Sequence, residues 1–137
     1  AAQADVAVTV LPETWDYAAD VVIVGAGGAG LRAAIAVAEA VAAGKGDRGV
    51  LVCGTGLGMS IAANKVKGAY AALLTDVYSA ERAVLSNNSN IACMGAFTLG
   101  EKLAEELLKI WLGLRFDPAS ASAPKVAGYR EYDEARG

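Results

Sequence analysis

Five short, unbroken apolar runs rich in β-branched residues punctuate this chain, at residues 6–11, 20–24, 49–53, 69–74 and 90–94, each closed by glycine or a polar turn. Continuous rather than alternating apolarity marks strands covered on both faces. The stretches between the runs carry helical periodicity, which is the rhythm of a parallel sheet with crossover helices. The expected fold is therefore a Rossmann-like three-layer α/β/α sandwich with a parallel sheet of about five strands. At 137 residues the chain holds one such domain. With 55% hydrophobic and 20% charged residues it is too apolar for a disordered segment, and glycine and charge interrupt every run long enough to span a bilayer.

The crossover helices are expected at residues 31–43, 58–66, 77–85 and 101–112. The first places Leu31, Ile35, Ala38 and Ala42 on one stripe and Arg32 and Glu39 opposite, before Gly44 stops it. The third is capped by Asp76. The fourth turns Leu103, Leu107, Ile110 and Trp111 inward. From Phe116 the composition changes, with Pro118, Pro124 and an Ala/Ser run, so residues 116–137 are expected to leave the body as an extended tail.

Charge and residue usage exclude several functions. Twelve basic residues against 15 acidic ones, with no basic cluster longer than a pair, argue against nucleic acid as a partner. Nothing in the pattern suits a membrane. Histidine is absent, which removes the commonest base near neutral pH and the commonest metal ligand. No metal is expected, and catalysis falls to cysteine, carboxylates, lysine, tyrosine or backbone dipoles. Two cysteines, Cys53 and Cys93, are too few for a disulfide framework and fit a reduced, cytoplasmic compartment. The opening run AAQADVAVTV has neither the basic region nor the apolar stretch of a signal peptide.

Two segments can carry chemistry. Residues 20–30 read as a strand entering G-x-G-x-x-G and then a helix. Gly25 and Gly27 allow a tight turn, Gly30 allows close helix packing, and the helix start offers N–H groups to a phosphate. Over residues 14–37 this resembles the FAD-binding fingerprint of flavoproteins of the fumarate reductase type, which implies FAD or NAD at Gly25, Gly27 and Gly30. Against it, the next strand ends in Cys53-Gly54, where a dinucleotide site needs an acidic residue. A plain glycine-rich strand–helix turn is the alternative.

The second segment is residues 47–66. Here Cys53 closes a buried strand, at the end where α/β folds bind ligands, and Gly54-Thr55-Gly56-Leu57-Gly58 leads into a helix with free N–H groups. That position favours a thiolate and can stabilise an oxyanion. Cys93, inside an apolar run, reads as core, and Leu107, Leu108 and Trp111 read as core or dimer-interface packing. Asn87 and Asn88 serve equally as turn caps or as ligand contacts. Lys65 and Lys67 read as solvated charges.

Through Asp47-Arg48-Gly49, Cys53-Gly54-Thr55-Gly56-Leu57-Gly58, Ala63-Asn64-Lys65-Val66, Thr75-Asp76-Val77-Tyr78-Ser79 and Phe116-Asp117-Pro118, residues 38–127 resemble a group of sugar-phosphate isomerases. It comprises ribose-5-phosphate isomerase type B and galactose-6-phosphate isomerase (LacA/LacB). Residues 84–88 and 116–126 look most like the branch that isomerises tetrulose phosphates such as erythrulose 4-phosphate. The resemblance implies cofactor-free aldose–ketose isomerisation through an enediol. Cys53 would move the proton between adjacent carbons, Thr55 with the N–H groups of Gly54, Gly56 and Gly58 would stabilise the enediolate, and Ser86 and Asn87 would meet substrate.

Ser86 falls where pentose isomerases carry a ring-opening histidine. A four-carbon sugar phosphorylated on its terminal oxygen cannot close a furanose ring and needs no such acid. The resemblance also implies a homodimer whose tail crosses to its partner. Tyr70 stands in place of a usual arginine, Ser120 or Ala121 replaces one of two tail arginines, and Lys125 lies near the second. The family's opening strand motif is missing, so the chain reads as a join of two families near residues 31–41. A sugar-phosphate isomerase is the preferred reading, beside a dinucleotide-binding module and a folded but inactive hybrid.

Overall fold

The computed structural model describes residues 21–25 and 30–136. Strands β1 (Val21–Gly25), β2 (Arg48–Cys53), β3 (Ala71–Leu73) and β4 (Ile91–Gly95) alternate with helices α1 (Gly30–Ala42), α2 (Leu57–Ala63), α3 (Val77–Leu85) and α4 (Glu101–Gly113), and α5 (Ala123–Ala135) follows. The strands form one parallel sheet in the order β1-β2-β4-β3. This is the expected Rossmann-like α/β architecture. Among the described residues the sheet has four strands rather than about five; the remaining expected run, 6–11, lies outside them.

The two central strands explain the unbroken apolar runs. Leu51, Ile91 and Cys93 pack against Ala34, Val37 and Ala38 of α1 and Met59 and Ala62 of α2. On the other face Val50, Ala92 and Met94 meet Ala80 and Val84 of α3 and Leu107 and Trp111 of α4. A strand covered on both sides has no polar face to show.

Two stripes differ from expectation. In α1 the buried set is Ala34, Val37, Ala38 and Val41, while Leu31 is 61% exposed. Small residues win because the helix lies very close to the sheet: a Cβ on Gly49 would sit 2.7 Å from a Val37 methyl. In α4 only Leu107 and Trp111 are buried, and Leu103 is exposed rather than inward. The α3 expectation holds, bounds included. Asp76 accepts a hydrogen bond from Ser79 N at 2.8 Å, and Asp76 N donates back to Ser79 Oγ at 3.2 Å, which completes a capping box.

A buried cation closes α4. The Arg48 guanidinium donates to Trp111 O and to Leu114 O, the latter at 2.6 Å, and lies 4.6 Å over the Trp111 ring. It supplies positive charge where the helix dipole is negative and satisfies carbonyls that have no partner within the helix. Trp111 Nε1 in turn donates to Ser89 Oγ at 2.8 Å.

Residues 116–136 do not form the expected extended tail. Pro124 sits in the first turn of α5, where its missing N–H costs nothing. The helix packs back on the body through polar contacts: Asp133 accepts from Gly68 N at 3.0 Å and from Tyr70 OH at 2.9 Å, and Tyr129 OH donates to Asn87 Oδ1 at 3.2 Å.

Candidate active site

Cys53 is the last residue of β2, opposite Gly95 at the end of β4. The pairing continues past both strands, with Ala96 N on Cys53 O at 2.7 Å and Phe97 N on Gly54 O at 2.9 Å. The chain then turns sharply through Gly56, whose φ of 77° lies in the left-handed region. A side chain there would also collide: a Cβ would sit 2.5 Å from a Leu73 methyl and 2.9 Å from the Met94 carbonyl carbon. The turn aims Gly56 N–H at Cys53 Sγ, 3.0 Å away. Thr55 stays exposed, and its Oγ1 accepts from Leu57 N at 3.3 Å. Gly95 lets this loop fold onto β4, since a Cβ there would lie 2.7 Å from the Thr55 carbonyl carbon.

The two cysteines differ sharply. Cys53 is half-buried, at the end of β2, with its side chain packed against the α1/α2 cluster. Cys93 is fully buried, and burial first, then the neighbouring Cys53, pushes its pKa up to about 12. It stays a protonated core residue, as expected.

The expected site residues fall into two groups. Cys53, Gly54, Thr55, Gly56 and Gly58 sit together at the carboxyl-terminal edge of the sheet. Ser86 and Asn87 lie at the opposite edge, after α3 and before β4. A five-residue strand separates them, about 16 Å at the usual rise. One chain therefore cannot bring them to the same small ligand. Asn87 is tied in place, its Nδ2 donating to Arg82 O at 2.9 Å and its Oδ1 accepting from Tyr129 OH. Ser86 accepts from Arg82 Nη1 at 3.4 Å. Of the fingerprint glycines, Gly25 ends β1 beside Val52, Gly30 is buried at the start of α1, and Gly27 lies outside the described residues.

Cavities open at both edges. At the carboxyl-terminal edge one of about 270 Å³ is bounded by Val52, Met94, Gly95 and Leu99, on the α3/α4 side of the sheet, whereas the Cys53 side chain lies on the α1/α2 side. At the amino-terminal edge lies one of about 510 Å³, bordered by Arg48, Asn88, Arg115, Phe116 and the α5 stripe Ala123, Val126, Ala127 and Arg130. Lys125 is exposed on α5 but off that stripe. Arg115 and Arg130 are absent from the sequence-based site; for Arg130 the signal was its i+7 spacing from Ala123, which is readable only once 123–135 is known to be helical. Among the described residues no three His, Cys, Asp or Glu side chains are grouped to hold a metal ion, and no helix is long and apolar enough to cross a membrane.

A parallel α/β domain with a cysteine and a glycine loop at a central strand end belongs to the class that binds ligands beyond the carboxyl ends of its strands. Within that class, the chain is a member of the Ribose/Galactose Isomerase family, whose model matches residues 31–128. D-erythrulose-4-phosphate isomerase 2 of Mycolicibacterium smegmatis is 57% identical over 102 residues, 74% of this chain and 67% of that protein. D-erythrulose-4-phosphate isomerase of Pectobacterium atrosepticum is 48% identical over 103 residues, with the same coverages, 74% and 67%. Among solved structures, ribose-5-phosphate isomerase B of Clostridium thermocellum superposes with a TM-score of 0.74 at 38% identity, covering 78% of this chain and 72% of that one. The resemblance carried by the Cys53 and Asp47 motifs is thus a family relationship.

Proposed function

We propose that the protein is an aldose–ketose isomerase of small sugar phosphates, with tetrulose phosphates favoured over pentose phosphates, and that Cys53 is its base. As a thiolate, Cys53 takes the proton from the carbon beside the carbonyl, leaving an enediolate. The hydroxyl proton of the enediolate passes to the oxygen of the former carbonyl, and the sulfur returns the carbon-bound proton to that oxygen's carbon as the carbonyl re-forms on the neighbouring one. No redox partner is consumed. The Gly56 N–H supports the sulfur, while Thr55 and the N–H groups of Gly54 and Gly58 are assigned to the enediolate oxygen. The observation that carries this is the Gly56 N–H to Cys53 Sγ contact at 3.0 Å, at the end of a central strand. Two relatives named for erythrulose 4-phosphate support the tetrulose preference, as does Ser86 in place of a ring-opening histidine.

The separation of Cys53 from Asn87 supports a homodimer, in which the carboxyl-terminal edge of one protomer faces the amino-terminal edge of its partner. Ser86, Asn87 and Lys125 would then complete the site built on the partner's cysteine loop. The cysteine edge has a suitably apolar rim: Leu57 is 53% exposed, Ile61 62% and Phe97 91%. Both cysteines are free, in keeping with a cytoplasmic location.

The test is Cys53→Ala, assayed on D-erythrulose 4-phosphate and on ribulose 5-phosphate. The expected result is a loss of at least about a hundredfold in kcat, with an unchanged circular dichroism spectrum. Activity equal to wild type would remove Cys53 from the mechanism.

A further inference from the structure

We propose that the amino-terminal-edge cavity is a phosphate-monoester site in which Arg115 and Arg130 grip the anion above the buried Arg48. The cavity, about 510 Å³, falls within the range of small-molecule sites, about 300–1,000 Å³. Three guanidinium groups border it and one carboxylate, Asp47. None of the three arginines forms an ion pair among the described residues, whereas Arg82, Lys102, Lys109 and Arg136 all do.

Each arginine has a distinct part. Both terminal nitrogens of Arg48 are committed to Trp111 O and Leu114 O, so this bordering residue carries a fixed charge. Arg48 and Arg115 border the same cavity, and burial first, then the charge of Arg115, lowers the Arg48 pKa. Arg115 is anchored on one side, its Nη1 donating to Leu112 O at 2.6 Å and Leu114 O at 2.8 Å, and its Nη2 and Nε make no hydrogen bond among the described residues. Arg130 enters from α5 at the end of the Ala123, Val126, Ala127 stripe, whose small side chains keep the space open. Asn88 sits on the same wall in the left-handed region, φ 50°, and its amide also makes no hydrogen bond among the described residues. A dianion with several acceptor oxygens matches two guanidinium forks and an amide.

The phosphate group has two sources: the substrate's own, in which case the inference rests on the two-protomer site proposed above, or a separate phosphorylated ligand or free phosphate. The probe is inorganic phosphate, titrated calorimetrically into the full-length chain as wild type, Arg115→Gln, Arg130→Gln and, as control, Lys102→Gln, an exposed α4 residue away from the cavity. Saturable binding weakened about tenfold in each arginine variant and unchanged in the control is expected. No binding by wild type, or equal binding in all four proteins, would overturn the site.

Kinetics on D-erythrulose 4-phosphate separate the sources. Competitive inhibition by phosphate, with KM raised about tenfold in Arg130→Gln and kcat within about twofold, assigns the site to the substrate's phosphate. Non-competitive inhibition with unchanged KM assigns it to a separate ligand. If Cys53→Ala remained active, the isomerase chemistry would fall while the titration still judged the site.

Discussion

At the scale of single residues, the difference between Cys53 and Cys93 is one of position within parallel strands. Cys93 lies inside β4, facing α1 and α2, with no exposure, and Cys53 is the last residue of β2, just before the Gly56 turn. Native protein is therefore expected to take up one equivalent of iodoacetamide per chain, at Cys53, and a second only on unfolding; mass spectrometry of the labelled peptides checks this, and native labelling of Cys93 would contradict it. Gly56 is the second point of leverage. Gly56→Ala must hold a positive φ and displace Leu73 and the Met94 backbone. It is expected to cost about 1–3 kcal/mol of stability and to alter the Cys53 labelling rate as the N–H swings off the sulfur. Thermal melts and alkylation kinetics read both. This part of the site was legible in the sequence because its signals are local: cysteine, alternating glycines and helix start follow one another within six residues, 53–58.

Among the elements, α5 differs most from its sequence expectation, and its docking is polar. Asp133 holds Gly68 N–H and the Tyr70 hydroxyl; the Gly68 hydrogen bond above all, with smaller contributions from Tyr70, Arg136 and Lys67, keeps its carboxyl below the usual range. A depressed folded-state pKa stabilises at pH values above the unfolded value, about 3.9, and that contribution is lost as pH falls through the folded value. Tyr70 is the mirror case: burial first, then its bond to Asp133, pushes its pKa up to about 12. Its contribution is present below about 10 and lost as pH rises from there through about 12. Melting temperatures across pH are expected to fall at both ends, the acid-side fall shrinking in Asp133→Asn and the alkaline-side fall in Tyr70→Phe. Unchanged profiles would contradict this account of the docking. Sequence pattern could not show α5, because its buried apolar side chain is Val126 alone and its partners lie 42 to 65 residues away. For α1 the difference is one of face: Leu31, in the first turn, is exposed, and Ala34, Val37, Ala38 and Val41 face the sheet.

For the molecule as a whole, the fold class and most elements were readable because a doubly covered sheet writes long apolar runs into the chain. Ser86 and Asn87 were named only through the family resemblance, because the length of β4 separates them from Cys53 and no local pattern joins the two. Ser86 and Asn87 join Cys53 only if a second protomer supplies them, and two-fold symmetry then yields two equivalent sites per dimer, each mixed. Subunit mixing tests this directly. Cys53→Ala and Asn87→Ala homodimers, each inactive or nearly so on D-erythrulose 4-phosphate, are unfolded together and refolded, and heterodimers are counted by native mass spectrometry. Half the dimers should be mixed and carry one intact site of two, restoring about a quarter of wild-type activity. Heterodimers present at the statistical level with no activity above that of the parents would contradict a site shared between protomers.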